Sequence, residues 1–213
     1  MKTIFLVVPC YNEEEALPET ARQLMQKLNT LKSAHRITER SRVMFVDDGS
    51  KDRTWELIAS LHAESPDTFD GLKLSRNEGH QKALLAGLME SRQLCDAAIS
   101  LDADLQDDIN AIDGMIAKLE EGCEIVYGVR SRRETDSAFK RSTAHGFYKL
   151  MKLMGVELVY DHADYRLMSR TALDGLSEYH ERNLFLRGIV PMIGYKTGTV
   201  YYERGERTAK KND

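Results

Sequence analysis

The chain has 213 residues, of which 42% are apolar and 30% charged, with a formal net charge of −4. That length suits one α/β domain with a full core, and the composition excludes a disordered or low-complexity protein. A balance this mild predicts neither nucleic acid nor membrane as a partner.

In chain order, residues 4–8 are a continuous apolar run ended by Pro9, the pattern of a strand buried on both faces. Leu17, Ala21, Leu24, Leu28 and Leu31 then recur at helical spacing. Residues 43–46 predict a second strand ending at Asp47-Asp48-Gly49-Ser50, and Trp55, Ile58 and His62 begin the next helix. Residues 72–74 read as a short strand and 82–94 as a helix. Residues 97–101 form a strand that runs straight into Asp102. Ile109, Ile112, Ile116 and Leu119 make a helix stripe closed by Gly122, and 125–129 is another strand. Residues 139–154 have helical spacing with a basic face, and 199–203 alternate like a strand.

This alternation predicts a mainly parallel, doubly wound sheet with helices on both faces. No repeat or flexible linker divides the chain. Cys10, Cys95 and Cys123 form no CxxC pair and read as small buried residues or thiols of a reducing compartment. Only five apolar residues separate Thr3 from Pro9, too few for a signal-peptide core, and no run approaches the roughly 18 of a spanning helix.

Three polar clusters, Asn12-Glu13, Asp47-Asp48 and Asp102 to Asp104, fall just after strands. In such sheets the ligand crevice lies beyond the carboxyl ends of the strands, so the clusters should converge on one site. Asp102-Ala103-Asp104 presents two carboxylates suited to Mg²⁺ or Mn²⁺, which complete their shells with water and substrate phosphates. On its own the motif reads more readily as an acidic loop, with Asp107 or Asp108 capping the next helix; its place after a buried strand, within the convergent crevice, favours the metal. Asp47 and Asp48 could accept from a nucleobase or ribose, although Asp-Gly-Ser is also ordinary turn chemistry. Pro9, Tyr11, Asn12 and Glu13 offer an aromatic ring and a polar lip. Asn77 and Gly79 precede a helix on which Lys82 could meet a phosphate, and His80 reads as a capping or surface residue. Asp164-Tyr165-Arg166 reads either as an internal ion pair or as part of a reacting centre. From Arg130 to Lys152 the local net charge is +5, which points to an anionic partner at one face. No Gly-x-Ser-x-Gly, zinc spacing or P-loop is present.

Taken together, Val7-Val8-Pro9-Cys10-Tyr11-Asn12-Glu13-Glu14, Val46-Asp47-Asp48-Gly49-Ser50-x-Asp52, Asn77-x-Gly79 and Asp102-Ala103-Asp104-Leu105-Gln106-Asp107 resemble the ordered motifs of family 2 glycosyltransferases. Arg130, Lys140-Arg141, Asp164 to Met168 and Glu181 to Phe185 make the chain similar to the polyprenyl-phosphate group within that family. The resemblance implies the glycosyltransferase A fold over residues 1–209 as one catalytic domain. Residues 210–213 would be a flexible tail, without the membrane anchor of relatives. It implies a nucleotide-sugar donor, a UDP-sugar in preference to GDP-mannose, held by Pro9, Tyr11, Asn12, Glu13, Asp47, Asp48, Asn77, Lys82, Asp102, Ala103, Asp104 and Gln106. Asp102 and Asp104 would hold the metal, and Asp102, Asp104 and Asp164 would serve the reaction. Arg130, Arg141 and Arg166 would bind the phosphate of a polyprenyl (undecaprenyl) phosphate acceptor. Such an enzyme would work at the cytoplasmic face of the cell membrane, and relatives of this kind often self-associate as homo-oligomers.

Chemically, the reaction expected is one in-line displacement that inverts the sugar. A phosphate acceptor is already ionised at neutral pH and needs no strong base. A sugar hydroxyl in a growing polysaccharide would need one, with Asp164 or Asp107 as the candidate. A non-catalytic sugar-nucleotide-binding module and a nucleotidyltransferase also fit paired carboxylates on an α/β sheet. The Gly-rich basic loop of nucleotidyltransferases is absent, since residues 9–14 contain no glycine.

Overall fold

The computed structural model describes residues 1–131, 162–179 and 185–203. The helix expected at 139–154, Arg141 and the residues after 203 lie outside the described residues.

The first half is built of βα units. Strand β1 (Ile4–Cys10) leads to α1 (Leu17–Ser33), then β2 (Arg42–Asp47), α2 (Thr54–Glu64), β3 (Phe69–Lys73), α3 (His80–Ser91) and β4 (Ala97–Ser100). Helix α4 (Ala111–Glu120) and β5 (Ile125–Arg130) follow. Beyond residue 161 come β6 (His162–Ser169), α5 (Arg170–Ser177), α6 (Leu186–Met192) and β7 (Thr197–Tyr202). The sheet has seven strands in the order β3-β2-β1-β4-β6-β5-β7. Strand β6 runs antiparallel to β4 and β5, and the other pairings are parallel.

Residue period two along the strands feeds two cores. Ile4, Leu6 and Val8 of β1 and Val43 and Phe45 of β2 pack on α1, α2 and α4. Phe5 and Val7, with Met44 and Val46, pack on α3, α5 and α6 across the sheet. Both faces are therefore covered, and the continuous apolar runs of β1 and β2 follow from that. Leu17, Leu24, Leu28 and Leu31 of α1 are almost fully buried, and each contributes about 2 kcal/mol by leaving water. Pro18 and Glu19 start α1 and Lys32 lies in its last turn, in accord with the helix dipole. Helix α5 begins where Ser169 Oγ accepts from the Ala172 amide at 3.1 Å. Gly122 ends α4 with φ +84°, as its spacing predicts.

The sequence reading differs in instructive places. Strand β3 starts at Phe69 rather than at 72, and α3 starts at His80 rather than at 82. Strand β6, α5 and α6 carry no pattern that predicted them. No helix among the described residues is long and apolar enough to cross a membrane.

Strand order reverses between β1 and β4: the chain moves outward through β2 and β3 and returns to pair on the other side of β1. The crevice beyond their carboxyl ends is where such sheets take ligands.

Candidate active site

Strand β1 ends at Cys10, so Tyr11 and Glu13 stand on the loop beyond it. The Glu13 amide donates to Thr54 Oγ1 at 2.9 Å, and the Asn12 amide to Ser50 Oγ at 3.0 Å. These bonds tie the loop after β1 to the loop after β2. In that second loop Asp48 is 2% exposed. Its Oδ1 accepts from the Glu78 amide at 2.7 Å and its Oδ2 from the Gly79 amide at 2.9 Å. The close approach depends on two glycines. Gly49 has φ +67°, and a Cβ there would lie 2.5 Å from the Arg76 carbonyl carbon. Gly79 has φ +93° and ψ 152°, a conformation open to glycine.

Strand β4 leads into Asp102-Ala103-Asp104. Thr20 Oγ1 of α1 donates to the Ala103 carbonyl at 2.5 Å and anchors this loop from below. Leu105 follows with φ +47°, a left-handed conformation that costs a bulky residue energy. Asp104 accepts from the Gln106 amide at 3.3 Å and from Gln106 Nε2 at 2.6 Å. Burial raises the Asp102 carboxyl above its ordinary range; His80 opposes the shift, and Asp107, Asp104 and Asp164 add to it. Carboxylates gathered with so little opposing charge fit a divalent cation at Asp102 and Asp104. Among the described residues no group of three or more His, Cys, Asp or Glu could hold a metal ion alone, so further ligands would come from water and substrate.

Strand β6 places Asp164 against this loop. Arg166, 1% exposed, donates from Nη2 to Asp164 Oδ1. Gln81 Nε2 donates to Asp164 Oδ2 at 3.0 Å, and its Oε1 accepts from the Leu186 amide at 3.3 Å. Arg187 on α6 reaches both carboxylate oxygens at 3.3 and 3.4 Å. His80 Nε2 lies 3.7 Å from Asp102 Oδ1 and 3.7 Å from Asp164 Oδ2, bridging the two carboxylates. Burial pushes the Asp164 carboxyl up, but the Arg166 charge and the bond and charge of Arg187, with His80, outweigh it and hold it below its ordinary value.

These groups surround one cleft of about 470 Å³, within the ~300–1,000 Å³ typical of small-molecule sites. Pro9, Tyr11, Glu13, Asp48, Asn77, Asp102, Ala103, Asp104 and Asp164 line it. Cys10, Gly79, His80, Ala83 and Arg187 join them. The loops after β1, β2 and β4 therefore do converge.

Other expected site residues stand elsewhere. Asp47 is buried beneath the turn, accepting from the Ser50 amide at 3.1 Å. Asn12 Oδ1 accepts from the Lys51 amide, Lys82 pairs with Glu78 at 2.9 Å, and Gln106 sits on Asp104. Arg130 pairs with Asp107 Oδ1 at 3.0 Å, which also accepts from Tyr202 at 2.6 Å. Arg166 lies in the core behind Asp164, so neither arginine lines the cleft that an acceptor phosphate was expected to enter. Asp108, not Asp107, turns onto the Asn110 amide at the start of α4. Arg187 was missed because no local pattern marks it. It stands two residues beyond the Glu181-to-Phe185 motif, and that proximity was its signal in the sequence.

A model of glycosyl transferase family 2 matches residues 5–176. The chain belongs to that family. It is 55% identical over 206 residues to the uncharacterized glycosyltransferase YkoT of Bacillus subtilis, covering 97% of this chain and 61% of that protein. To the prophage bactoprenol glucosyl transferase homolog of Escherichia coli it is 40% identical over 207 residues, covering 97% and 65%. The chain thus spans less than two thirds of the length of these family 2 relatives. Among solved structures it resembles the mannosyltransferase PcManGT of Pyrobaculum calidifontis in complex with GDP-Man and Mn²⁺, with TM-score 0.66 and 16% identity over 99% of this chain and 58% of that one. It also resembles glucosyl-3-phosphoglycerate synthase of Mycobacterium tuberculosis in complex with Mn²⁺, UDP-glucose and phosphoglyceric acid, with TM-score 0.58 and 16% identity over 99% and 74%. At that identity the likeness establishes the shared glycosyltransferase A fold.

Proposed function

We propose that this chain is the catalytic domain, residues 1–209, of an inverting glycosyltransferase that moves a hexose-type sugar from a nucleotide sugar to a polyprenyl phosphate. The observation that carries the acceptor side is the condition of Asp164. Both its oxygens are occupied by cationic or amide donors, and its carboxyl is held below the ordinary range. Such a group is a weak general base. Asp107, the other candidate, is bound to Arg130 and Tyr202 and does not line the cleft. A sugar hydroxyl would need the base that neither supplies. A phosphate monoester, with a second pKa of about 6, needs none.

In this reading the acceptor oxygen attacks the anomeric carbon from the side opposite the leaving nucleoside diphosphate. Tyr11, Glu13, Asp48 and Asn77 hold the nucleoside, and the Asp102-to-Asp104 loop orients the sugar and diphosphate. When bound at Asp102 and Asp104, Mg²⁺ or Mn²⁺ supplies charge neutralisation at the leaving diphosphate. The relatives named bactoprenol glucosyl transferase support a polyprenyl acceptor and a glucosyl donor, for which we take a UDP-sugar in preference to GDP-mannose. The Mn²⁺ complexes of the solved neighbours support the metal. A lipid acceptor implies work at the cytoplasmic face of the cell membrane.

The test is incubation with UDP-glucose, undecaprenyl phosphate and Mn²⁺ or Mg²⁺, followed by extraction of glycolipid. Glycolipid should form, and a chelator should stop it. Asp104→Ala should lower turnover roughly a thousandfold, and Asp164→Asn should keep it within about tenfold of the parent. No glycolipid from any UDP-sugar or GDP-mannose overturns the reading. A thousandfold loss in Asp164→Asn, with the fold intact, would instead restore an obligatory base and a hydroxyl acceptor.

A further inference from the structure

The cleft is unevenly charged. Glu13, Asp48, Asp102, Asp104 and Asp164 line it, and Arg187 is the one Arg or Lys among its described lining residues. A phosphate entering such a cleft needs a cation. In the reading above, a metal at Asp102 and Asp104 serves the donor diphosphate, and among the described lining residues that leaves Arg187 as the Arg or Lys open to the acceptor phosphate.

Arg187 is the most loosely held of the three donors on Asp164. Its side chain is 45% exposed, and its bonds to Asp164 are the longest that this carboxylate accepts. When Arg187 leaves, Asp164 keeps two other donors, since Arg166 holds Oδ1 from the core and Gln81 holds Oδ2. The backbone beneath it is fixed, since the neighbouring Leu186 amide donates to Gln81. The result is a guanidinium on a fixed base with a replaceable partner. Its planar fork matches a phosphate better than the present long contacts match a carboxylate.

Resting on the phosphate-acceptor reading, we infer that Arg187 is a ligand of the acceptor's phosphate monoester. Its guanidinium leaves Asp164 when the phosphate arrives and takes two of the phosphate oxygens. Asp164 keeps Arg166 and Gln81 and marks the position to which Arg187 returns once product departs.

The test compares the parent with Arg187→Ala and Arg187→Lys, using farnesyl phosphate, glycerol 3-phosphate and farnesol as binding probes and UDP-glucose with farnesyl phosphate for turnover. Arg187→Ala should bind farnesyl phosphate about tenfold to a hundredfold more weakly, the factor for one lost charge-assisted contact. The KM for farnesyl phosphate should rise by the same factor while the KM for UDP-glucose stays put. Arg187→Lys should recover part of the loss, since it returns the charge without the fork. Given that loss, tighter parental binding of farnesyl phosphate than of glycerol 3-phosphate supports a lipid source, and equal binding supports a free phosphate ester. Unchanged farnesyl phosphate binding in Arg187→Ala overturns the inference and leaves the acceptor reading standing. An equal rise in the KM for UDP-glucose, or an equal loss of farnesol binding, overturns it too. A parent protein that binds neither phosphate and forms no glycolipid overturns both.

Discussion

On the β2 side of the cleft, Asp48 is held by main chain: its oxygens accept from the Glu78 and Gly79 amides, and the nearby Glu13 amide is held by Thr54. On the β6 side, Asp164 is held by side chains from three separate segments, Arg166, Gln81 and Arg187. Amide donors exist whatever the residue type, so the first arrangement depends on loop path and on two glycines. The second depends on side-chain identity, and breaking its buried Asp164–Arg166 pair leaves an unpaired charge in the core. The first wall can be expected to tolerate substitution at Glu78 but not at its glycines, and Asp164 and Arg166 in the second to behave as a unit.

The largest effect expected from this contrast is in Asp164→Ala. It leaves the buried Arg166 without its carboxylate and should cost about 3–5 kcal/mol in denaturant unfolding. Asp48→Ala leaves two main-chain donors unpaired and should cost about 1–3 kcal/mol; an equal or larger loss than in Asp164→Ala would break the comparison. A smaller effect concerns acid. Folding lowers the Asp164 carboxyl from its ordinary 3.8, so the stability it adds is present above that value and drains away as pH falls below it. Asp164→Asn should therefore flatten the stability profile below about pH 4, measured as the urea midpoint against pH. The smallest effect belongs to Glu19→Ala. Its carboxyl is held at about 2 by Arg22 and Gln23, but the pair lies in solvent and its removal should leave the unfolding midpoint unchanged.

The same contrast explains what could be read without coordinates. Strands β1, β2, β4 and β5 announce themselves because both faces are buried, so their apolar runs are nearly continuous, interrupted by Ser100 in β4 and Gly128 in β5. The loops after β1, β2 and β4 follow from strand ends, and their convergence follows from the sheet. Strand β6 hides because Asp164 and Arg166 interrupt its apolar residues, and those two are buried only by virtue of each other. Arg187 and Gln81 are joined to Asp164 across separations of 23 and 83 residues, beyond any local periodicity. Helix α6 is seven residues long and contains Gly188 and Pro191, which suppress the helical signal. The interior place of Arg166 is likewise invisible to composition, since arginine is ordinarily a surface residue.

Leu105 sets a limit on how this protein can be made more robust. Its left-handed backbone makes the loop that carries Asp102 and Asp104 costlier to fold than it would be with glycine. Glycine would remove that cost and also widen the range of shapes the loop can take, so the two carboxylates would be aimed less firmly. Leu105 also packs its side chain against the core beneath the loop, so glycine would lose in burial and chain entropy what it relieves in strain.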